Sequence, residues 1–257
     1  MKNNKNPIGF IDSGVGGISV LKEAVKLLPN ENYIYFGDSK NAPYGIKSVK
    51  EVQKLTFDAC EFLINHNAKA LVIACNTATS AAINELRKKY KSIPVIGIEP
   101  ALKPAVELNR KGKIIVMATP MTLAEKKFNE LMLNYNEVAE ILPLPCPGLV
   151  ELIEKGIIEG EELEKYITTR FSNLEGEDIA AVVLGCTHYP FVRKQLLKFL
   201  GEDTPILDGS IGTAKYLRKQ LVGFGMLNSS EKSGTVDIFN SLDGSEIIDL
   251  SYKLFNL

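Results

Sequence analysis

Cysteine occurs four times, at positions 60, 75, 146 and 186, and two of the four have neighbours suited to proton transfer. Cys75 ends the apolar run Ala70–Ala74 and precedes Asn76-Thr77; Cys186 ends Ala180–Gly185 and precedes Thr187-His188. Each is predicted to close a strand and open a helix, and a helix N-terminus stabilises a thiolate. The amide, hydroxyls and imidazole that follow can bond a ligand while the sulfur addresses it. Buried cysteine is more commonly a small core hydrophobe. Cys60, at helical spacing within Val49–Ile64, reads that way. Cys146, within Pro143-Leu144-Pro145-Cys146-Pro147-Gly148, reads as a loop cysteine without chemistry. No two cysteines form the close CxxC pair of a zinc or redox site, so no metal is expected.

Two thiols on opposite sides of one carbon suit amino-acid racemisation. The α-proton leaves one face and a proton returns to the other, so the planar intermediate needs an acid/base group on each side. Thiol and thiolate serve alternately, and a cysteine pKa can be tuned towards the operating pH. Two other readings fit parts of the pattern. Cys186 and His188 could form a nucleophile–base pair, which leaves Cys75 idle and predicts a covalent adduct. A non-catalytic amino-acid-binding module would have no use for either thiol.

The remaining polar candidates lie where predicted strands end, the place where open α/β sheets bind ligands. They are Asp12-Ser13, Asp38, Cys75-Asn76-Thr77, Glu99, Thr119, Cys146, Cys186-Thr187-His188 and Asp208-Gly209-Ser210. The elbow Asp12-Ser13-Gly14-Val15-Gly16-Gly17 leads into a helix, where glycines let backbone amides approach an anion. Ser19 occupies the place of the third glycine of a dinucleotide fingerprint and no Walker lysine follows, so a small carboxylate fits better than a pyrophosphate. A tight turn capped by Asp12 or Ser13 is the plainer alternative. Pro43-Tyr44-Gly45 reads as a turn whose tyrosine is either a surface residue or a cover over a ligand.

The elements that must position these groups alternate between short β-branched runs and amphipathic stretches, the pattern of mainly parallel sheets flanked by helices. Strands are predicted near Ile8–Ile11, Tyr33–Phe36, Ala70–Ala74, Pro94–Gly97, Lys113–Ala118, Val138–Leu142, Ala180–Gly185 and Pro205–Leu207, with a ninth at Thr235–Phe239. Helical spacing marks Val49–Ile64, Ser80–Tyr90, Met121–Leu133, Glu161–Phe171 and Phe191–Leu200. The first four strand starts and the next four are offset by 105, 105, 110 and 111 residues, which predicts two copies of one unit. The segments ALVIACNT and AVVLGCTH, each closing on a cysteine, align in that repeat.

Bulk properties narrow the setting. Apolar residues make up 45% of 257 and the net charge is −1, so neither nucleic acid nor a membrane surface is an expected partner. No run approaches a signal peptide or a membrane span, and a cytoplasmic protein with reduced thiols is expected.

The segments IDSGVGG, YFGD with PYG, ACNTA, GIEPA, VMAT, LGCTHYP and DGS stand in this order from residue 11 to residue 210. Together they resemble glutamate racemase, within the aspartate/glutamate racemase superfamily; LGCTHYP and ACNTA are the specific ones. The resemblance implies two pseudo-twofold-related α/β domains, residues 1–97 with 210–257 and residues 98–209, and an active site in the cleft between them. It implies catalysis by Cys75 and Cys186, with Asp12 assisting the first and His188, together with Glu154, assisting the second. Glu151, three residues earlier on the same predicted helix, competes with Glu154 for that part. Asp12, Ser13, Tyr44, Gly45, Asn76, Thr77, Thr187 and His188 are implied in substrate binding. The substrate would be glutamate, with D-glutamate supplied to peptidoglycan, no cofactor, and a homodimer as a family-level expectation. Aspartate is the nearest rival substrate, although related aspartate racemases tend to carry an acidic residue where this chain has His188. The stretch Met226–Leu257 matches no recognised motif.

Overall fold

Strands buried on both faces need helices on both sides, and the apolar runs behave accordingly. The computed structural model describes residues 4–124 and 126–257. The chain divides into two compact units, Met1–Glu99 with Ser210–Leu257, and Pro100–Gly209.

In the first unit the strands are β1 (Ile8–Asp12), β2 (Tyr33–Gly37), β3 (Ala70–Ile73), β4 (Val95–Gly97) and β9 (Val236–Asn240). They form one parallel sheet in the order β4-β3-β1-β2-β9. Central β1 and β3 are buried at every position, so their side chains carry no polar alternation. Helices α1 (Ile18–Leu27), α2 (Val49–Asn65), α3 (Asn76–Lys89), α10 (Ser210–Gly223) and α11 (Ser245–Asn256) belong to the same unit. Ser48 caps α2 by accepting from the Glu51 amide at 3.3 Å, an arrangement worth about 1 kcal/mol. The helix then buries Val52, Thr56, Ala59, Cys60 and Leu63, one stripe at helical spacing. Cys60 is thus a core residue of α2.

The second unit holds β5 (Lys113–Ala118), β6 (Ile141–Pro145), β7 (Ile179–Leu184) and β8 (Ile206–Asp208), parallel in the order β6-β5-β7-β8. Its helices are α4 (Leu102–Glu107), α5 (Pro120–Ala124), α6 (Lys126–Leu133), α7 (Leu149–Glu154), α8 (Glu161–Phe171) and α9 (Arg193–Leu200). Replacing β1–β4 by β5–β8 converts β4-β3-β1-β2 into β8-β7-β5-β6, which is this order read from the other edge. The two sheets therefore share one topology, as expected of a repeated unit, and β9 is an addition to the first.

Two elements depart from the sequence pattern. The strand expected at Val138–Leu142 runs instead over Ile141–Pro145. Asn134 to Ala139 fold into turns, with Val138 and Ala139 donating to the Tyr135 carbonyl, and Val138 is 71% exposed. The strand tolerates Pro143 and Pro145 because β6 is an edge strand, where a missing N–H breaks no second ladder. The helix expected near Phe191 is a 3-10 turn over Tyr189–Val192 followed by α9.

Candidate active site

Each sheet has one point where neighbouring strands send their chains in opposite directions. Open α/β sheets bind ligands beyond the carboxyl ends of the strands at such a point. In the first unit it lies between β1 and β3, whose ends carry Asp12 and Cys75. In the second it lies between β5 and β7, whose ends lead to Thr119 and Cys186.

Cys75 is the N-cap of α3, and its sulfur accepts a hydrogen bond from the Ala78 amide at 3.4 Å. This is the geometry in which a helix N-terminus favours negative sulfur. The thiol also reaches the Ser13 hydroxyl at 3.6 Å. Asp12 is fully buried, and its Oδ2 accepts from the Gly14 amide at 3.1 Å, which closes the elbow after β1. No side chain caps α1, so neither Asp12 nor Ser13 serves as the helix cap. A Cβ on Gly17 would stand 2.6 Å from the Asp12 Cβ and 2.9 Å from the Ala74 Cβ. Glycine is thus needed where the ends of β1 and β3 meet the start of α1. Tyr35 donates its hydroxyl to the Gly14 carbonyl at 2.6 Å and pins the elbow from below.

Tyr44 is not a surface residue. It is 1% exposed, in a 3-10 turn over Tyr44–Ile46 with Gly45, and its hydroxyl donates to Asp38 Oδ2 at 2.7 Å. Burial first, then the Asp38 hydrogen bond and charge, raise the phenol's pKa strongly; charge on Cys75 and Asp12 adds to this. Asn76 and Thr77 are buried in the first turn of α3, and Asn76 Oδ1 is enclosed without a hydrogen-bond partner.

In the second unit Cys186 opens a tighter turn than Cys75 does. An α-helical start would need an N–H on Pro190 to reach the Cys186 carbonyl, and proline has none. Tyr189 donates to that carbonyl instead, at 3.2 Å, giving 3-10 spacing. The Cys186 sulfur lies 3.8 Å from His188 Nδ1, and His188 Nε2 lies 2.6 Å from Glu154 Oε1 at the end of α7. His188 is fully buried. Burial opposes its charge, but the hydrogen bonds and charges of Cys186 and Glu154 raise its pKa well above the usual histidine value. Glu151 is exposed, so Glu154 is the glutamate that meets His188. Thr187 is buried beside them.

The other strand-end residues are engaged differently. Thr119 accepts from the Thr122 amide at 3.2 Å and caps α5. Asp208 pairs with Arg193, and Glu99 is exposed. Cys146 lies in the loop between β6 and α7, as expected, but is 1% exposed and packs into the core of the second unit, and burial pushes its thiol up to about 12. Among the described residues, no group of three or more His, Cys, Asp or Glu could hold a metal. Tyr35 and Tyr189 stand within YFGD and LGCTHYP, yet no motif specifies their bonds to the Gly14 and Cys146 carbonyls, and Asn41, which donates to Asp38, stands in no motif.

Two thiols at equivalent strand ends of two sheets with one topology are matched by a family pattern over residues 8–216, that of Asp/Glu/hydantoin racemase. The chain belongs to this family. It is 64% identical to the glutamate racemase of Clostridium novyi (strain NT) over 258 residues, covering all of both chains. The crystal structure of glutamate racemase from Francisella tularensis subsp. tularensis SCHU S4 in complex with D-glutamate matches with a TM-score of 0.84 and 30% identity, covering 99% of this chain and 95% of that one. Escherichia coli glutamate racemase, in complex with L-glutamate and the activator UDP-MurNAc-ala, matches with a TM-score of 0.85 and 28% identity, over 97% and 95% of the two chains. The chain is accordingly an isomerase, and no helix among its described residues is long and apolar enough to cross a membrane.

Proposed function

We propose that the chain is a glutamate racemase that interconverts the L and D enantiomers by two-base proton transfer between Cys75 and Cys186. The observation that carries this reading is that each thiol borders the switch point of its own sheet, Cys75 at 3.6 Å from the Ser13 hydroxyl and Cys186 at 3.8 Å from the buried His188 imidazole. One thiolate removes the α-proton, forming a thiol and a planar carbanion. The other thiol gives its proton to the opposite face and becomes the thiolate, so the reverse reaction starts from the mirror arrangement. This requires both sulfurs to address one α-carbon from opposite faces.

Asp12 assists Cys75 in this reading, and His188, held by Glu154, assists Cys186. Ser13, Tyr44, Gly45, Asn76, Thr77 and Thr187 bind substrate together with Asp12 and His188. Asn76 Oδ1, buried without a partner, is an acceptor suited to the substrate ammonium. No cofactor takes part. The F. tularensis and E. coli relatives bind D- and L-glutamate respectively, which favours glutamate over aspartate. The chain would work in the cytoplasm, as a homodimer, supplying D-glutamate to peptidoglycan.

Circular dichroism on the purified protein, with each enantiomer of glutamate and aspartate and no added cofactor, tests the reading. Both glutamate enantiomers should relax to the racemate and aspartate should not. Racemisation of aspartate in preference to glutamate would overturn the substrate assignment.

A further inference from the structure

Asp38 has no part in the racemase reading above, yet the loop that follows β2 is organised around its carboxylate. The residue is buried, and its amide donates to the Asp12 carbonyl at 3.0 Å, which continues the β1–β2 ladder by one step. Asn41 Nδ2 donates to both carboxylate oxygens, at 3.0 and 3.1 Å, and the Tyr44 hydroxyl donates to Oδ2 at 2.7 Å. Seven residues of chain are thereby closed back onto the end of β2.

A phenol has one proton to donate. In Tyr44 that proton is committed to a carboxylate in a charge-assisted bond, which is about twice as strong as one between neutral partners. The hydroxyl therefore works as an anchor and is not a donor for a substrate carboxylate. We infer that Asp38 is a positioning residue: by holding the Tyr44 hydroxyl it fixes the Tyr44–Gly45 segment in the place where substrate binds. This rests on the racemase reading only in taking Tyr44 and Gly45 as substrate-binding residues.

Steady-state racemisation of glutamate should be measured for the parent, Tyr44→Phe, Asp38→Ala, Asp38→Asn and the double variant Asp38→Ala/Tyr44→Phe, with thermal unfolding of each. The inference predicts that KM rises about tenfold in Asp38→Ala and Tyr44→Phe alike, as expected for loss of one charge-assisted bond, with a smaller fall in kcat. The double variant should be no worse than the single ones, because both remove the same contact. Asp38→Asn, which keeps an acceptor, should recover most of the loss. Should Asp38→Ala not fold, Tyr44→Phe and its combination with Asp38→Asn carry the same comparison. A parent-like KM in Asp38→Ala, a fall in thermal stability with KM unchanged, or multiplying effects in the double variant would each overturn the inference. Those outcomes leave the two-thiol reading intact; failure of the parent to racemise glutamate would overturn that reading and the inference together.

Discussion

His188 Nε2 and Glu154 Oε1 lie 2.6 Å apart, joining the turn after β7 to the last residue of α7. Together with the Cys186 sulfur 3.8 Å from Nδ1, this contact raises the pKa of the imidazole against the opposing effect of complete burial. The folded-state pKa of His188 lies above its unfolded value of about 6.5. The protonated form therefore stabilises the fold fully below the unfolded pKa, and that contribution is lost as pH rises through the folded pKa. Urea unfolding followed upward from about pH 6 should show stability falling with pH from this group. In Glu154→Gln the fall should shift to lower pH and shrink, and an NMR titration of His188 should show the lowered pKa directly. An unchanged titration in the variant would mean that Glu154 does not hold the proton on His188.

Gly17→Ala should damage both fold and activity. Its Cβ would meet the Asp12 and Ala74 Cβ atoms at 2.6 and 2.9 Å, inside normal contact. Overpacking of this kind costs about 1–3 kcal/mol, readable as a lowered urea midpoint. Displacement of Asp12 should lower kcat as well, whereas Gly212→Ala, in open space on α10, should do neither.

The four thiols should separate by reactivity. Burial pushes Cys60 and Cys146 up to about 12, so at about pH 8 only about one in ten thousand of either is thiolate. Iodoacetamide should label them only after unfolding. Cys75 and Cys186 should be alkylated in the native protein, and glutamate should protect them; mass spectrometry of the digests reads both outcomes. Native labelling of Cys146 at the rate of Cys186 would contradict the difference in environment.

The alternation of strands and helices was legible because buried parallel strands such as β1, β3, β5 and β7 are continuous apolar runs, and every expected strand except β6 stands within a residue of its expected bounds. The errors have physical causes. At β6 the exposed Val138 imitated a strand residue while two prolines disguised the real one, which an edge position permits. After Cys186 the apolar pattern showed a helix start, but Pro190 withholds the N–H that an α-turn requires. Helix α11 was not legible, because Met226–Leu257 carries no motif to anchor a reading. The burial of Tyr44 escaped for another reason: a turn sequence does not say whether its tyrosine faces solvent or a carboxylate six residues earlier.

Isotope wash-in shows which atoms move the α-proton. In deuterium oxide the parent should convert L-glutamate to D-glutamate carrying deuterium at the α-carbon, with no added cofactor. Cys75→Ala and Cys186→Ala should each lower racemisation by about 10²–10⁴-fold, the usual contribution of a general acid or base. Racemisation at the parent rate with either thiol replaced would contradict the account.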